Sequence, residues 1–187
     1  MKLQLALDVL SLEDALTLAR AVEDQVDRFE IGTPFLLEYG MEAVRRFREC
    51  FPQKELLADT KIMDAGKLEA DSAFRAGADL VTVLAVTDVA TIRACVETAD
   101  RVGRRVVADM ICVTDLVSKV RELEEAGIHG IAVHTGVDQQ AHGRTPLGDL
   151  AAIKAVARRA EVAVAGGIAQ KTILDYCALR PDVLIIG

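Results

Sequence analysis

Several things are missing from this 187-residue chain. Its four cysteines (Cys50, Cys95, Cys112 and Cys177) form no C-x-x-C pair, which argues against a disulfide framework or zinc knuckle and for core thiols in a reducing cytoplasm. No apolar run approaches the roughly 18–20 residues that cross a bilayer. The first residues run straight into a strand-like pattern without the basic and long apolar order of a secretion signal, so neither a leader nor a membrane span is expected. Positive charge is in deficit: 22 Lys and Arg face 29 Asp and Glu, a net charge of -7. Bulk attraction to nucleic acid or anionic membrane is therefore excluded, and an anionic ligand would need local cations, a metal or helix N-termini. No linker or low-complexity tract divides the chain.

What is present is alternation. Apolar strand patterns fall near Leu3–Leu7, Arg28–Ile31, Leu56–Lys61, Leu80–Leu84, Val106–Met110, Gly130–His134, Val162–Ala165 and Val183–Ile186. Amphipathic patterns lie between them at Leu12–Val26, Phe35–Glu49, Lys67–Ala76, Val89–Arg101, Leu116–Ala126, Leu147–Arg159 and Lys171–Leu179. Strand starts recur about every 20–32 residues, which suits βα units. Ser11 with Asp14 resembles a capping box. Ala85-Val-Thr-Asp88 and Cys112-Val-Thr-Asp115 are near-copies that place a capping Asp after strands four and five. Gly77 and Gly127 suit left-handed helix ends.

Eight such units predict an α/β fold, a single (β/α)8 TIM barrel over residues 1–187. An open doubly wound sheet is the alternative, but Asp8-Val-Leu-Ser11 stands where a G-x-G-x-x-G would follow strand one. The sequence stops at Gly187 with no eighth helix, so the C-terminus is expected to be incomplete and part of strand eight's outer face uncovered.

Side chains alternate faces along a strand. If the leucines of strand one face the helices, Asp8 points into the barrel. The same parity turns Glu30, Asp59, Lys61 and His134 inward, with Asp64 just beyond strand three. All would gather at the C-terminal mouth, where barrel enzymes place their chemistry. Clustered carboxylates need a cation. Lys61 is one; hard oxygen ligands favour Mg2+, with Mn2+ possible, as a second. Gly166, Gly167 and Gly187 follow strands seven and eight, a common barrel phosphate site, so a sugar phosphate is the leading ligand class. Arg45-Arg46, Arg104-Arg105 and Arg158-Arg159 read as solvated helix faces and ends.

Asp59-Thr-Lys61-Ile-Met-Asp64 is a D-x-K-x-x-D motif. With Leu3-Gln-Leu-Ala-Leu-Asp8, Glu30-Ile-Gly-Thr-Pro34, Val133-His-Thr-Gly136 and Ala165-Gly-Gly-Ile168, the chain resembles the orotidine 5′-monophosphate decarboxylase suprafamily, and within it the 3-hexulose-6-phosphate synthases. The resemblance runs the length of the chain. It implies a homodimeric barrel that joins formaldehyde to D-ribulose 5-phosphate through a Mg2+-stabilised 1,2-enediolate. Glu30 and Asp59 would be the metal ligands, and Lys61 the partner of the enediolate. His134 would move the C1 proton, a role imidazole commonly takes. Asp64 would reach into the neighbouring subunit's site, and Asp8 would bind substrate hydroxyls or steady Lys61. The related 3-keto-L-gulonate 6-phosphate decarboxylases carry an Arg three residues after the strand-six His, where this chain has Val137. That decarboxylase activity and a non-catalytic sugar-phosphate binder are the alternatives. Asp109 has no assigned face.

Overall fold

A computed structural model describes residues 1–187. Eight parallel strands close on themselves: β1 (Lys2–Leu7), β2 (Arg28–Ile31), β3 (Glu55–Ile62), β4 (Leu80–Leu84), β5 (Arg105–Asp109), β6 (Gly130–His134), β7 (Glu161–Ala165) and β8 (Val183–Ile186). Each pairs with the next, and β8 returns to β1 through Leu3–Leu184 and Leu5–Ile186. The barrel, rather than the open sheet, is the fold.

The helices are α1 (Leu12–Val22), α2 (Thr33–Tyr39), α3 (Met41–Cys50), α4 (Gly66–Ala76), α5 (Val89–Arg101), α6 (Leu116–Glu125), α7 (Val137–Ala141), α8 (Leu147–Val156) and α9 (Ile173–Ala178). The caps behave as the sequence suggests. Ser11 Oγ accepts the Asp14 N–H, and Asp88 and Asp115 accept the N–H groups of Ala90 and Ser118. Several boundaries differ, and the Leu147–Arg159 pattern is helical only to Val156. The first helix stops at Val22 and continues as a 3-10 turn over Glu23–Gln25. The long second pattern is two helices, because Gly40 adopts φ +60° and breaks the ladder. The short α7 was invisible: Val-Asp-Gln-Gln-Ala has no apolar face to read.

Alternation separates two cores. Outward residues of the strands, among them Phe29, Ile31, Leu56, Ala58, Val81 and Val133, pack with helix residues such as Leu16, Phe47, Ile92 and Leu123. Inward residues Leu57, Leu80, Val107, Ala132, Ala163 and Val183 form a separate plug inside the barrel. Near the chain end, Leu184 is buried, and Ile186 and its neighbours Leu3 and Leu5 are half-buried.

Below the plug lies an ionic floor. Arg28 is 1% exposed and donates to Glu55 at 2.7 Å and to Glu161 at 3.1 Å. Arg105 and Lys2 pair with the same two acids. Arg104 pairs with Asp79. The Arg104-Arg105 pair is therefore not a solvated helix end: it opens a strand, and its two side chains tie separate strands together. No helix is long and apolar enough to cross a membrane.

Candidate active site

The upper end of the plug is polar. On β3, Asp59 is buried and its carboxylate is held from three sides. Lys61 Nζ lies 2.6 Å from Oδ2, Thr33 Oγ1 2.8 Å from Oδ2, and Thr82 Oγ1 donates to Oδ1 at 2.7 Å. The strand is not regular as it reaches Lys61. β3 advances four residues from Ala58 to Ile62 while β4 advances two, from Val81 to Val83. The two extra residues bulge, and Lys61 takes φ +45°, a left-handed backbone that a non-glycine residue adopts at a cost of about 1–3 kcal/mol. Its N–H is received by Thr82 Oγ1 at 2.8 Å, and Thr60 donates to the Thr82 carbonyl at 2.8 Å. From the bulge the ammonium reaches the Asp59 carboxylate.

There Lys61 meets a second acid. Asp109, at the end of β5, lies 3.1 Å from Lys61 Nζ through Oδ2, and the same oxygen lies 2.9 Å from Nδ1 of His134. Burial works against the Asp109 charge, but the His134 hydrogen bond, the charges of His134 and Lys61 and the Ile111 N–H outweigh it and hold its carboxyl below the usual range. An ionised carboxylate only accepts, so His134 carries its proton on Nδ1 and presents Nε2 as the basic atom. Burial also opposes the Lys61 charge, yet Asp59 and Asp109 keep its pKa above that of an ordinary lysine.

Glu30, on β2, is buried, and desolvation followed by the charge of Asp59 pushes its carboxyl up to about 8, against the pull of Gln4 and Lys61. Asp8 lies just past β1, exposed at the rim. Desolvation and Asp59 raise its pKa while Lys61 and His134 oppose the rise. A single ammonium thus serves several acids. Glu30 beside Asp59 is the charge deficit that a hard divalent cation relieves, and such an ion needs only one or two protein carboxylates beside substrate and water oxygens. No three His, Cys, Asp or Glu side chains converge into a ready-made metal cage, so a metal here would depend on the bound substrate for part of its shell. The donor chemistry fits Mg2+ in that mode.

The glycines stand at the same mouth. A Cβ on Gly166 (φ +109°) would fall 2.4 Å from the Thr135 carbonyl, so only glycine lets the β7 loop lie so close to β6. Neither Gly166 nor Gly167 spends its N–H on a backbone carbonyl. Beside them Thr135 is fully buried, with a hydroxyl that has no hydrogen-bond partner. Gly187 lies against Ala6 and near the Asp8 carboxylate. A Cβ on Gly32 would overlap Asp8, a packing requirement unreadable from sequence.

Asp8, Glu30, Asp59, Lys61 and His134 therefore meet where parity puts them. Asp64 does not join them: it is exposed ahead of α4, accepting the Ala65 N–H at 2.7 Å. Sequence reasoning left Asp109 and Thr82 unused. Val107, two residues before Asp109, and Leu80, two before Thr82, are plug residues, so counting by two from either would have turned both inward.

A closed parallel barrel with acids, a lysine and a histidine gathered at its C-terminal mouth has the layout of an enzyme of the TIM-barrel class. The family model described as "Orotidine 5'-phosphate decarboxylase / HUMPS family" matches residues 1–187, and the chain belongs to that family. It is 46% identical to a 3-hexulose-6-phosphate synthase of Staphylococcus haemolyticus over 187 residues, covering 100% of this chain and 89% of the relative. The crystal structure of 3-hexulose-6-phosphate synthase from Salmonella typhimurium superposes with a TM-score of 0.98 at 55% identity, covering 100% of this chain and 89% of that one. The 3-keto-L-gulonate-6-phosphate decarboxylase of Vibrio cholerae is more distant, with a TM-score of 0.88, 29% identity and coverage of 100% and 87%.

Proposed function

We propose that this chain is an aldehyde-lyase that runs in the aldol direction, condensing formaldehyde with D-ribulose 5-phosphate to D-arabino-3-hexulose 6-phosphate. The observation that carries the reading is the bridge Lys61–Asp109–His134, which puts a free imidazole nitrogen and an ammonium at one mouth. The Gly166–Gly167 and Gly187 backbone receives the phosphate. His134 Nε2 takes a proton from C1, and the electrons move into the C2 carbonyl to give the 1,2-enediolate. Lys61 neutralises the developing oxyanion in a site of low dielectric. C1 then attacks the formaldehyde carbon, and the new alkoxide takes a proton from the imidazolium, restoring the base. Asp8 orients substrate hydroxyls and steadies Lys61. Glu30 and Asp59 would hold Mg2+, or Mn2+ in its place. When bound, the ion supplies positive charge to the substrate oxygens.

Val137, exposed at the start of α7, leaves no cation where the decarboxylases have one, which favours aldehyde addition over decarboxylation. Two copies share their sites. Asp64 stands on a rim with exposed Met63, Leu68 and Val86, an apolar edge that a second subunit would cover while receiving the acid. The four cysteines are free thiols, which supports a cytoplasmic setting.

The deciding assay presents the purified protein with ribulose 5-phosphate plus formaldehyde and, separately, with 3-keto-L-gulonate 6-phosphate. Faster turnover of the first pair supports the reading, and faster decarboxylation of the second substrate overturns it.

A further inference from the structure

Beneath Glu30 a single hydrogen-bonded chain runs from the mouth to the floor of the barrel. Gln4 Nε2 lies 2.5 Å from Glu30 Oε2, and Gln4 Oε1 accepts from Arg28 Nη1 at 2.9 Å. Arg28 in turn is held by Glu55 and Glu161. Gln4 and Arg28 are each 1% exposed, so water cannot stand in for either partner.

The chemistry of this chain is one-way. A guanidinium only donates, and an ionised carboxylate only accepts. An amide between them has one acceptable orientation: oxygen toward Arg28, nitrogen toward Glu30. Turning it over would set NH2 against guanidinium, a repulsive donor–donor contact in a dry interior whether or not Glu30 holds a proton. Arg28 therefore selects the end of Gln4 that Glu30 meets, although it makes no hydrogen bond to Glu30 itself. The floor network anchors Arg28 in turn, through strands β3 and β7.

We infer that Gln4 is a positioning residue: it clamps one oxygen of Glu30 and so presents the carboxylate in a fixed pose to a divalent cation, with Arg28 setting the direction of the clamp. This rests on the reading that Glu30 helps to hold Mg2+. Partners that orient a ligating carboxylate commonly change metal affinity by about 10–100-fold when removed.

The test is calorimetric titration of Mg2+ into the full chain, alone and with ribulose 5-phosphate, for the wild type, Gln4→Met, Gln4→Leu, Arg28→Met and the Gln4→Met/Arg28→Met double variant. Thermal unfolding of each is measured in parallel. Both Gln4 variants should bind Mg2+ about 10–100-fold more weakly. Arg28→Met should weaken binding as well, and the double variant should be no weaker than Gln4→Met, because Arg28 acts only through Gln4. A merely structural role would lower the unfolding temperature and leave the Mg2+ affinity of the folded protein unchanged. That result in either Gln4 variant, or in Arg28→Met, overturns the proposal. Failure of the wild type itself to bind Mg2+ overturns the metal reading along with it, so the two failures are distinguishable.

Discussion

Oδ2 of Asp109 lies 2.9 Å from Nδ1 of His134, and the same oxygen lies 3.1 Å from Lys61 Nζ. One carboxylate oxygen thus fixes the tautomer of the imidazole and the position of the ammonium. Asp109→Asn keeps the shape but offers an amide that can turn its NH2 toward His134 and reverse the tautomer. Turnover should fall by roughly 10²–10⁴-fold, the usual contribution of a positioned base. Exchange of the C1 proton in deuterated water should fall with it. Exchange within twofold of wild type would mean that another group is the base.

Glu30 is an acid whose charge is costly in the buried interior beside Asp59. A raised carboxyl pKa means that the folded chain holds the proton more tightly than the unfolded one, so stability falls as pH climbs from the ordinary carboxylate range toward about 8. Glu30→Gln removes that penalty. At pH 8 without metal the variant should unfold at a higher temperature, by roughly 1–2 kcal/mol or about 2–8 °C, while losing catalysis. An unchanged or lower unfolding temperature would contradict the assigned cost.

At the opposite end the sign reverses. Desolvation raises the Glu55 carboxyl, but Arg28, Arg105 and Lys2 together hold it below its usual value. Its contribution to stability is complete above the ordinary carboxylate range and is lost as pH falls through the lowered folded value. Acid unfolding curves should therefore steepen below about pH 5. In Glu55→Gln they should be flatter, starting from a protein less stable at pH 7 by about 1–3 kcal/mol, a figure reduced because Glu161 still serves Arg28 and Glu55 is partly solvated. Identical acid profiles would remove the floor from the stability account.

The proposed sharing of sites between two copies makes a sharper demand on Asp64. Lys61→Ala and Asp64→Ala should each be inactive alone. Mixed and reassociated one to one, they should recover about a quarter of wild-type activity, since half the dimers are mixed and each has one intact site. No recovery among dimers proven to exchange would place Asp64 in its own subunit's chemistry.

The architecture was legible because alternation is strict over most strands. Phe29 and Ile31 against Glu30, and Ile131 and Val133 against His134, report their faces directly. Counting by two along β3 turns Lys61 inward while taking no account of the bulge. The count succeeded because two extra residues preserve parity. Asp109 was missed although Val107 shares its face. Gln4 and Arg28 were missed because a polar pair inside a barrel is recognisable only when its ends, Glu30 above and the Glu55–Glu161 pair below, are brought together across distant strands. Long-range pairings of this kind leave no periodic trace. The break at Gly40 and the turn at α7 are local and escaped because neither disturbs the apolar pattern.

Carbon-13 NMR with labelled formaldehyde and unlabelled ribulose 5-phosphate asks the central question directly. Wild-type protein with Mg2+ should carry the label into C1 of a six-carbon 3-ketose phosphate, and Lys61→Ala should not. Label that stays in formaldehyde while the wild-type protein is folded and loaded with Mg2+ would contradict the assignment of an aldol reaction to this mouth.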